Sequence, residues 1–394
     1  MIGTARKPVI LVFVGNYLPG HKAGGILRTI ANTVDHLCDE FEFKVVTRDR
    51  DLGDERAYED VELNTWQKVG NAEVYYLPPE ACTLTNIGRV VRDTPHDVIY
   101  LNSFFDPLTV KVLFNIWLGA IPPTRVVVAP RGEFAWASLR QKYLKKYLFT
   151  LAARLMGLYS GITWHASSPL EAADITHVMK INPVAVQVAF DFALRDPGRP
   201  APPHAAIPSA TVDDALRVVF LSRVAREKNL DYAIRVLKKI KARVVFDIYG
   251  PTADAAYWSE CQALIRQLPQ NVTVTYRGIV EAGEVLNVFS EYDLFLFPTG
   301  GEAYGQVIAE ALMAGTPVLT STETAWRNLE RDGLGWDLDL SQEELFIEAL
   351  ESLAGLDQPE REKRRGVVRA GVANRLANPA IPEAHRRLFI GAAT

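Results

Sequence analysis

The sequence reads as an α/β protein made of two doubly wound, parallel-sheet domains in succession. Three observations support this. Short, continuous apolar runs alternate with helical patterns, as expected for parallel strands covered on both faces. The stretch Arg195-Asp-Pro-Gly-Arg-Pro-Ala-Pro-Pro-His204, with four prolines in ten residues, interrupts that pattern. It can be neither a helix interior nor a central strand. The strand–helix alternation then restarts.

In the first half, strands are expected at Val9–Gly15, Phe43–Thr47, Glu73–Leu77, Asp97–Leu101, Arg125–Ala129 and Gly161–His165, mostly separated by helices. A loop with Gly20, Gly24 and Gly25 leads into a helix over Ile26–Leu37. Ser168-Pro169-Leu170-Glu171 reads as a capping box that starts another helix. In the second half, strands are expected at Leu216–Ser222, Arg243–Tyr249, Val272–Tyr276, Asp293–Pro298 and Pro317–Thr320. Helices fall at Asn229–Lys241, Ala253–Leu268, Glu281–Ser290 and Tyr304–Ala314. A charged helical stretch over Gln342–Ala377 and a short helix over Ile381–Ile390 follow. The domains are therefore placed at 1–195 and 213–376, with a linker at 196–212. Residues 377–394 are expected to return to the first domain, and the two domains to face a cleft.

With 394 residues, 48% of them hydrophobic and 23% charged, the chain is neither disordered nor low in complexity. Its net charge of −4 gives no reason to expect a nucleic-acid partner. Three widely spaced cysteines form no disulfide framework, which suits a reducing, cytoplasmic setting. The apolar run Val9–Val14 is too short for a signal sequence, and no run reaches the roughly 18 apolar residues of a membrane span.

Ligands of doubly wound sheets sit beyond the carboxyl ends of strands. Two sequence blocks fall there. Arg223-Val-Ala-Arg-Glu-Lys228 follows the first strand of the second half and places two cations five positions apart. Arginine offers a planar fork and lysine a point charge, a combination suited to a diphosphate. Glu302-Ala303-Tyr304-Gly305-Gln306-Val-Ile-Ala-Glu310 follows a later strand. Gly305 permits close backbone approach, and the helix start beyond it favours phosphate. Glu302 stands before that helix. Glu310 lies further along it among apolar residues, where a carboxylate needs a partner such as a sugar diol.

These blocks resemble the retaining glycosyltransferases of family 4, the "glycosyl transferases group 1" domain with the GT-B fold. The resemblance covers about residues 216–336 strongly and the N-terminal half more weakly. It includes Gly278 near the nucleotide base and Gly315-Thr-Pro-Val318 after the glutamate helix. It implies a nucleotide-sugar donor bound by Gly24, Gly25, Arg223, Lys228, Gly278, Glu302, Ala303, Tyr304, Gly305, Gln306 and Glu310. Arg223, Lys228, Glu302 and Arg131 are the catalytic candidates. Many relatives place a histidine beside the transferred sugar; Pro130-Arg131-Gly132-Glu133 stands there instead. Glu133 and His165 are therefore the sugar-side or acceptor candidates. No metal and no cofactor is expected, and Asp337-Leu-Asp339 is read as a loop rather than a metal pair. The implied acceptor is a glycan or lipid-linked glycan, and the donor a UDP- or GDP-sugar with UDP favoured.

Two rival readings are weighed. A nucleotide-sugar 2-epimerase shares the fold but needs acid–base groups at the sugar. A non-enzymatic two-lobed sugar-binding protein needs no diphosphate cations. Finally, Leu139–Tyr159 repeats Leu139, Tyr143, Tyr147, Leu151 and Leu155 at four-residue spacing, with Arg140, Lys142, Lys145, Lys146 and Arg154 interleaved. This reads either as a core-packed helix with a solvated basic face or as peripheral contact with an anionic membrane.

Overall fold

A computed structural model describes residues 6–195 and 215–391. The expected linker at 196–212 lies outside the described residues. The chain divides into two compact units. Unit 1 comprises 1–195 and 379–394, and unit 2 comprises 196–378.

In unit 1 the chain runs β1 (Val9–Phe13), α1 (Gly25–Leu37), β2 (Glu42–Arg48), β3 (Trp66–Val69), β4 (Ala72–Leu77), α2 (Leu84–Asp93) and β5 (Val98–Asn102). It continues α3 (Pro107–Trp117), β6 (Arg125–Ala129), α4 (Trp136–Leu139), α5 (Tyr143–Leu155), β7 (Thr163–Ala166), α6 (Pro169–Met179) and β8 (Val186–Val188). Unit 2 holds β9 (Leu216–Leu221), α7 (Leu230–Leu237), β10 (Val244–Tyr249), α8 (Ala255–Ile265), β11 (Val272–Gly278), α9 (Val285–Ser290) and β12 (Leu294–Phe297). It ends with α10 (Gln306–Met313), β13 (Val318–Ser321), β14 (Gly335–Leu338), α11 (Glu343–Ala354) and α12 (Gln358–Leu376). A last helix, α13 (Ala380–Ile390), belongs to unit 1.

The unit 1 sheet has the order β3-β4-β2-β1-β5-β6-β7-β8, and only β3 runs antiparallel to its neighbour. Every residue of β1 is buried, because both faces of the sheet are covered. Leu11 and Phe13 enter one core with Phe104, Leu108 and Trp164. Ile10 and Val12 enter the other with Ile30, Val34 and Phe389. On α1 the buried Leu27, Ile30, Val34 and Leu37 fall on one helical stripe. Burying each contributes about 1.5–3 kcal/mol, so a single Ile30→Ala change is expected to cost about 2–5 kcal/mol.

Helix α13 completes the second core. The Phe389 ring meets Phe41 and Tyr100 edge-on at 5.6 and 5.3 Å. Arg125 donates to the Leu388 carbonyl, and Arg386 pairs with Glu40 at 2.6 Å.

The unit 2 sheet is wholly parallel in the order β11-β10-β9-β12-β13-β14. Strand order reverses between β9 and β12, and the loops after these two strands flank the switch point where such sheets bind ligands.

Several local expectations change. Strands β3, β8 and β14 are short and carry no distinctive alternation. Asp337 lies in β14 rather than in a loop; it accepts from the Leu329 amide at 2.8 Å and pairs with Arg327 at 3.0 Å. The stretch 342–377 is two helices, because Asp357 and Glu360 form a full capping box that starts α12 anew. That helix buries Arg361, which pairs with Asp293 at 3.2 Å, and Arg365, which donates to the Ser290 carbonyl at 2.7 Å. At α6 only half of the expected box forms. Ser168 accepts from the Glu171 amide, but the Glu171 carboxylate turns to the amides of Ser167 and Gly132 at 2.7 and 2.6 Å.

Candidate active site

The site in unit 2 is built from two loops stitched together at the switch point. After β9 the chain makes a tight turn over Arg226–Lys228, and Asn229 adopts a left-handed conformation to enter α7. After β12 it runs Pro298–Gly305 into α10. The Glu227 carbonyl accepts from the Gly300 amide at 2.7 Å and from the Thr299 hydroxyl at 3.1 Å. The Asn229 amide group donates to the Pro298 carbonyl at 2.9 Å. Ser321, at the end of β13, donates to the Thr299 carbonyl at 2.5 Å. Thr299 is fully buried, so the turn rests on satisfied hydrogen bonds.

This stitching brings Lys228 and Glu302 together. The Lys228 ammonium donates to Glu302 Oε1 in a close ion pair. The Lys228 side chain is 10% exposed and that of Glu302 21%, so the pair is largely buried. The ammonium also lies 5.7 Å from the centre of the Phe297 ring. Arg223 differs. Its side chain is 55% exposed and makes a long 3.4 Å contact with Glu227. It is a cation that can swing to an incoming anion.

Helix α10 begins directly beyond. Gly305 sits at its N-cap with φ +84°, a conformation a side chain strains to adopt. The first amides of a helix lack intrahelical partners and carry its positive dipole end. Tyr304 is buried against Trp326, and Ala303 and Gln306 flank the turn. Glu310 lies one turn into α10 and is half-buried. Gly278, which ends β11, has φ +85°, and an added Cβ there would meet open space. Arg223, Lys228, Gly278, Glu302 and Glu310 thus all belong to unit 2.

Unit 1 holds the other candidates. Gly24 is the N-cap of α1 at φ +64°, and an added Cβ at Gly24 or Gly25 meets nothing within 4 Å. The preceding loop is pinned by Asp51, which accepts from the amides of His21 and Lys22 at 2.7 and 3.0 Å. Burial works to raise the Asp51 pKa, but these amides and that of Leu52 outweigh it and hold the group below its ordinary value.

The side chains of Arg131, Glu133 and His165 are turned into the domain. The Arg131 side chain is 3% exposed and pairs with the equally buried Asp191 at 2.6 Å. Its guanidinium also donates to Asn102, Ser167 and the Tyr100 hydroxyl. Desolvation opposes the charge, but Asp191 and Tyr100 outweigh it and push the Arg131 pKa up. Glu133 accepts from the Ser103 hydroxyl at 2.7 Å and the Phe104 amide at 2.6 Å, fixing the loop after β5; burial nevertheless raises its pKa. His165 is fully buried between the Tyr100 hydroxyl at 2.7 Å and the Ala189 carbonyl at 2.8 Å. Burial, then the Arg131 charge, press its pKa well below the ordinary value, so the ring is neutral. Ligand atoms of His165, Asp191 and His385 lie within 4.8 Å of one another, and the positive charge that balances Asp191 there is Arg131 itself.

Sequence reasoning missed this network because its members lie far apart in the chain. Asp191, Tyr100 and His385 carry no local motif.

Two doubly wound units in succession are the architecture of the GT-B fold. The fold comparison is direct. Sucrose-phosphate synthase from Thermosynechococcus elongatus superposes with a TM-score of 0.66 at 16% identity, over 98% of this chain and 100% of that one. A UDP-forming α,α-trehalose-phosphate synthase from Burkholderia xenovorans, in complex with glucose-6-phosphate, gives 0.68 at 11% identity, over 97% and 100%. Residues 207–367 match the family model described as "Glycosyl transferases group 1". That segment is what the chain shares with the group 1 glycosyltransferases.

An uncharacterized 41.2 kDa protein in the cps region of Klebsiella pneumoniae is 24% identical over 251 residues, 62% of this chain and 66% of that protein. The other curated relatives that match are covered over only 19–28% of their lengths.

Proposed function

We propose that this protein moves a sugar, with retention at the anomeric carbon, from a nucleoside diphosphate sugar to a hydroxyl acceptor in the synthesis of a bacterial surface glycan. The observation that carries the proposal is the Lys228–Glu302 pair at the unit 2 switch point, beside the exposed Arg223 and the start of α10. Two cations and a helix N-terminus suit a diphosphate, and an adjoining carboxylate suits sugar hydroxyls.

In this reading Arg223 swings onto the diphosphate, and Lys228 shares its charge between that group and Glu302. As the glycosidic bond breaks, negative charge grows on the leaving phosphate. Fixed cations and helix amides stabilise that charge more than they stabilise the ground state. Glu302 holds the sugar by its hydroxyls, and Glu310 accepts from the ribose. Family resemblance implies front-face attack, with the departing phosphate taking the acceptor proton.

The donor class draws support from the trehalose-phosphate synthase neighbour, which is UDP-forming. The glycan context draws support from the Klebsiella relative in a cps region. Arg131, Glu133 and His165 act here as scaffolding for the unit 1 loops.

Incubation with a panel of UDP- and GDP-sugars, with and without glycan acceptors, tests the proposal. The expected result is acceptor-stimulated release of nucleoside diphosphate and an α-linked product from an α-linked donor. Epimerised nucleotide sugar, or tight sugar binding without turnover of any donor, would replace it with one of the two rival readings.

A further inference from the structure

Helix α5 is assembled inside out. Its protein-facing side carries Thr150, Ala153, Phe149 and Lys146. The Lys146 ammonium donates to the Ser138 carbonyl at 2.7 Å and lies 5.4 Å from the Phe105 ring. The opposite side presents Leu144, Leu148 and Leu155, which are 68%, 55% and 80% exposed. At 3.6 residues per turn and 1.5 Å rise per residue these leucines fall within about 40° of one another and form a solvent-facing apolar stripe about 16 Å long.

The stripe does not stand alone. Trp136, on α4, is 67% exposed, and the half-exposed Tyr143 and Tyr147 stack at 5.9 Å along the helix edge. At the far end, Trp117 donates to the Met156 carbonyl at 3.0 Å, which extends the apolar surface to the end of α3. Single exposed leucines are ordinary on protein surfaces, but a contiguous apolar strip marks an interaction surface.

Charge selects the occupant. From Phe134 to Leu170 there is no Asp or Glu, while Arg140, Lys142, Lys145, Lys146 and Arg154 all lie in that interval. The excess runs against the net charge of −4 on the whole chain. A second copy docked through the same patch in a two-fold dimer would set these cations against themselves. Among the described residues no helix is long and apolar enough to cross a membrane, so the face lies on a surface rather than spanning it.

We infer that α4 and α5 dock this protein on an anionic lipid bilayer. Trp136, Leu144, Leu148 and Leu155 enter the boundary between headgroups and acyl chains, and Arg140, Lys142 and Lys145 meet lipid phosphates. The inference concerns unit 1 alone and does not depend on the proposed reaction.

Co-sedimentation of the full chain with vesicles tests it. Phosphatidylcholine vesicles containing phosphatidylglycerol should bind the protein, more weakly as salt rises, and pure phosphatidylcholine vesicles should bind it far less. Lys142→Glu and Lys145→Glu should each weaken partitioning at least fivefold, since one basic residue is worth about that factor at an anionic surface. The combined Leu144→Ser, Leu148→Ser, Leu155→Ser variant should lose binding while keeping its thermal midpoint. Equal binding to neutral and anionic vesicles, or none to either, overturns the inference. So does light scattering that shows a lipid-free dimer which the triple variant splits.

Discussion

Lys228 and Glu302 stand 74 positions apart in sequence and form a close, largely buried ion pair. Neither residue is held by its own loop alone. The Glu227 carbonyl, gripped by Gly300 and Thr299, sets the distance between the two loops. Their effects on donor use should therefore be coupled. Lys228→Ala and Glu302→Gln, measured singly and together for donor kcat/KM, should show a non-additive interaction of about 0.5–3 kcal/mol. Strict additivity would separate the two groups in function.

Arg223 offers a cleaner test of the phosphate assignment. Its side chain is exposed and its ion pair with Glu227 is long, so Arg223→Ala should change stability by less than about 0.5 kcal/mol. Losing a charge-assisted contact to diphosphate should still weaken UDP binding by roughly ten- to a hundred-fold. Calorimetry with UDP against the nucleoside uridine reads the difference. Unchanged UDP affinity would remove Arg223 from the site.

The two glutamates should separate in kinetics. Glu302→Gln removes the partner of Lys228 and leaves its charge for phosphate, so free UDP should bind at least as tightly as to wild type. Turnover should fall at least about tenfold, as expected for a contact that acts in the transition state. Glu310→Gln should weaken donor and free UDP alike, because both contain the ribose. The opposite pattern would exchange the two roles.

Arg131 is expected to support structure rather than contact sugar. Arg131→Met leaves the Asp191 carboxylate buried without its cation, which should cost about 3–5 kcal/mol of unfolding free energy. Urea denaturation measures this. A variant that keeps wild-type stability while losing turnover would return Arg131 to the catalytic group.

His385 makes unit 1 sensitive to acid. The ring is fully buried near His165, His36, Asp191 and Arg131, and burial presses its pKa from 6.5 to about 4. In the window between these values the unfolded chain binds the proton and the folded chain does not. The stability this group contributes is therefore present above pH 6.5 and lost as pH falls towards 4, about 3 kcal/mol in all. His165 acts with the same sign. Glu133 and Glu171, whose pKa values burial raises, act with the opposite sign. In urea midpoints taken from pH 7 to 4.5, His385→Phe should flatten the acid limb, and an unchanged slope would remove His385 as its source.

Much of the fold was legible because parallel strands buried on both faces read as unbroken apolar runs, as at Val9–Phe13 and Leu294–Phe297. The edge strands β3, β8 and β14 were not, since three or four residues carry no usable pattern. Arg223, Lys228, Glu302 and Glu310 stood out because strand ends and spacing mark them locally. That Lys228 pairs with Glu302, and that Arg131 pairs with Asp191, depends on contacts between distant segments. Helix α5 shows the reverse limit: the spacing of Leu139, Tyr143, Tyr147, Leu151 and Leu155 was visible, but the exposed leucine stripe runs through Leu144, Leu148 and Leu155 and shares only the last of them. Periodicity identifies a stripe without saying which side the protein covers.

The place of α13 bears on how the chain is made. Unit 1 is discontinuous: residues 1–195 are synthesised before unit 2, and the helix that supplies Leu388, Phe389 and His385 emerges only after it. Until then the faces of Phe41, Phe43 and Tyr100 that Phe389 covers have no lid. On the ribosome, unit 2 is finished while unit 1 still waits for its closing piece. A nascent chain paused before residue 380 is thus a natural client for chaperones. Expressing residues 1–195 alone should yield a sticky, incomplete half, whereas a circular permutant that fuses α13 ahead of β1 should fold as one piece.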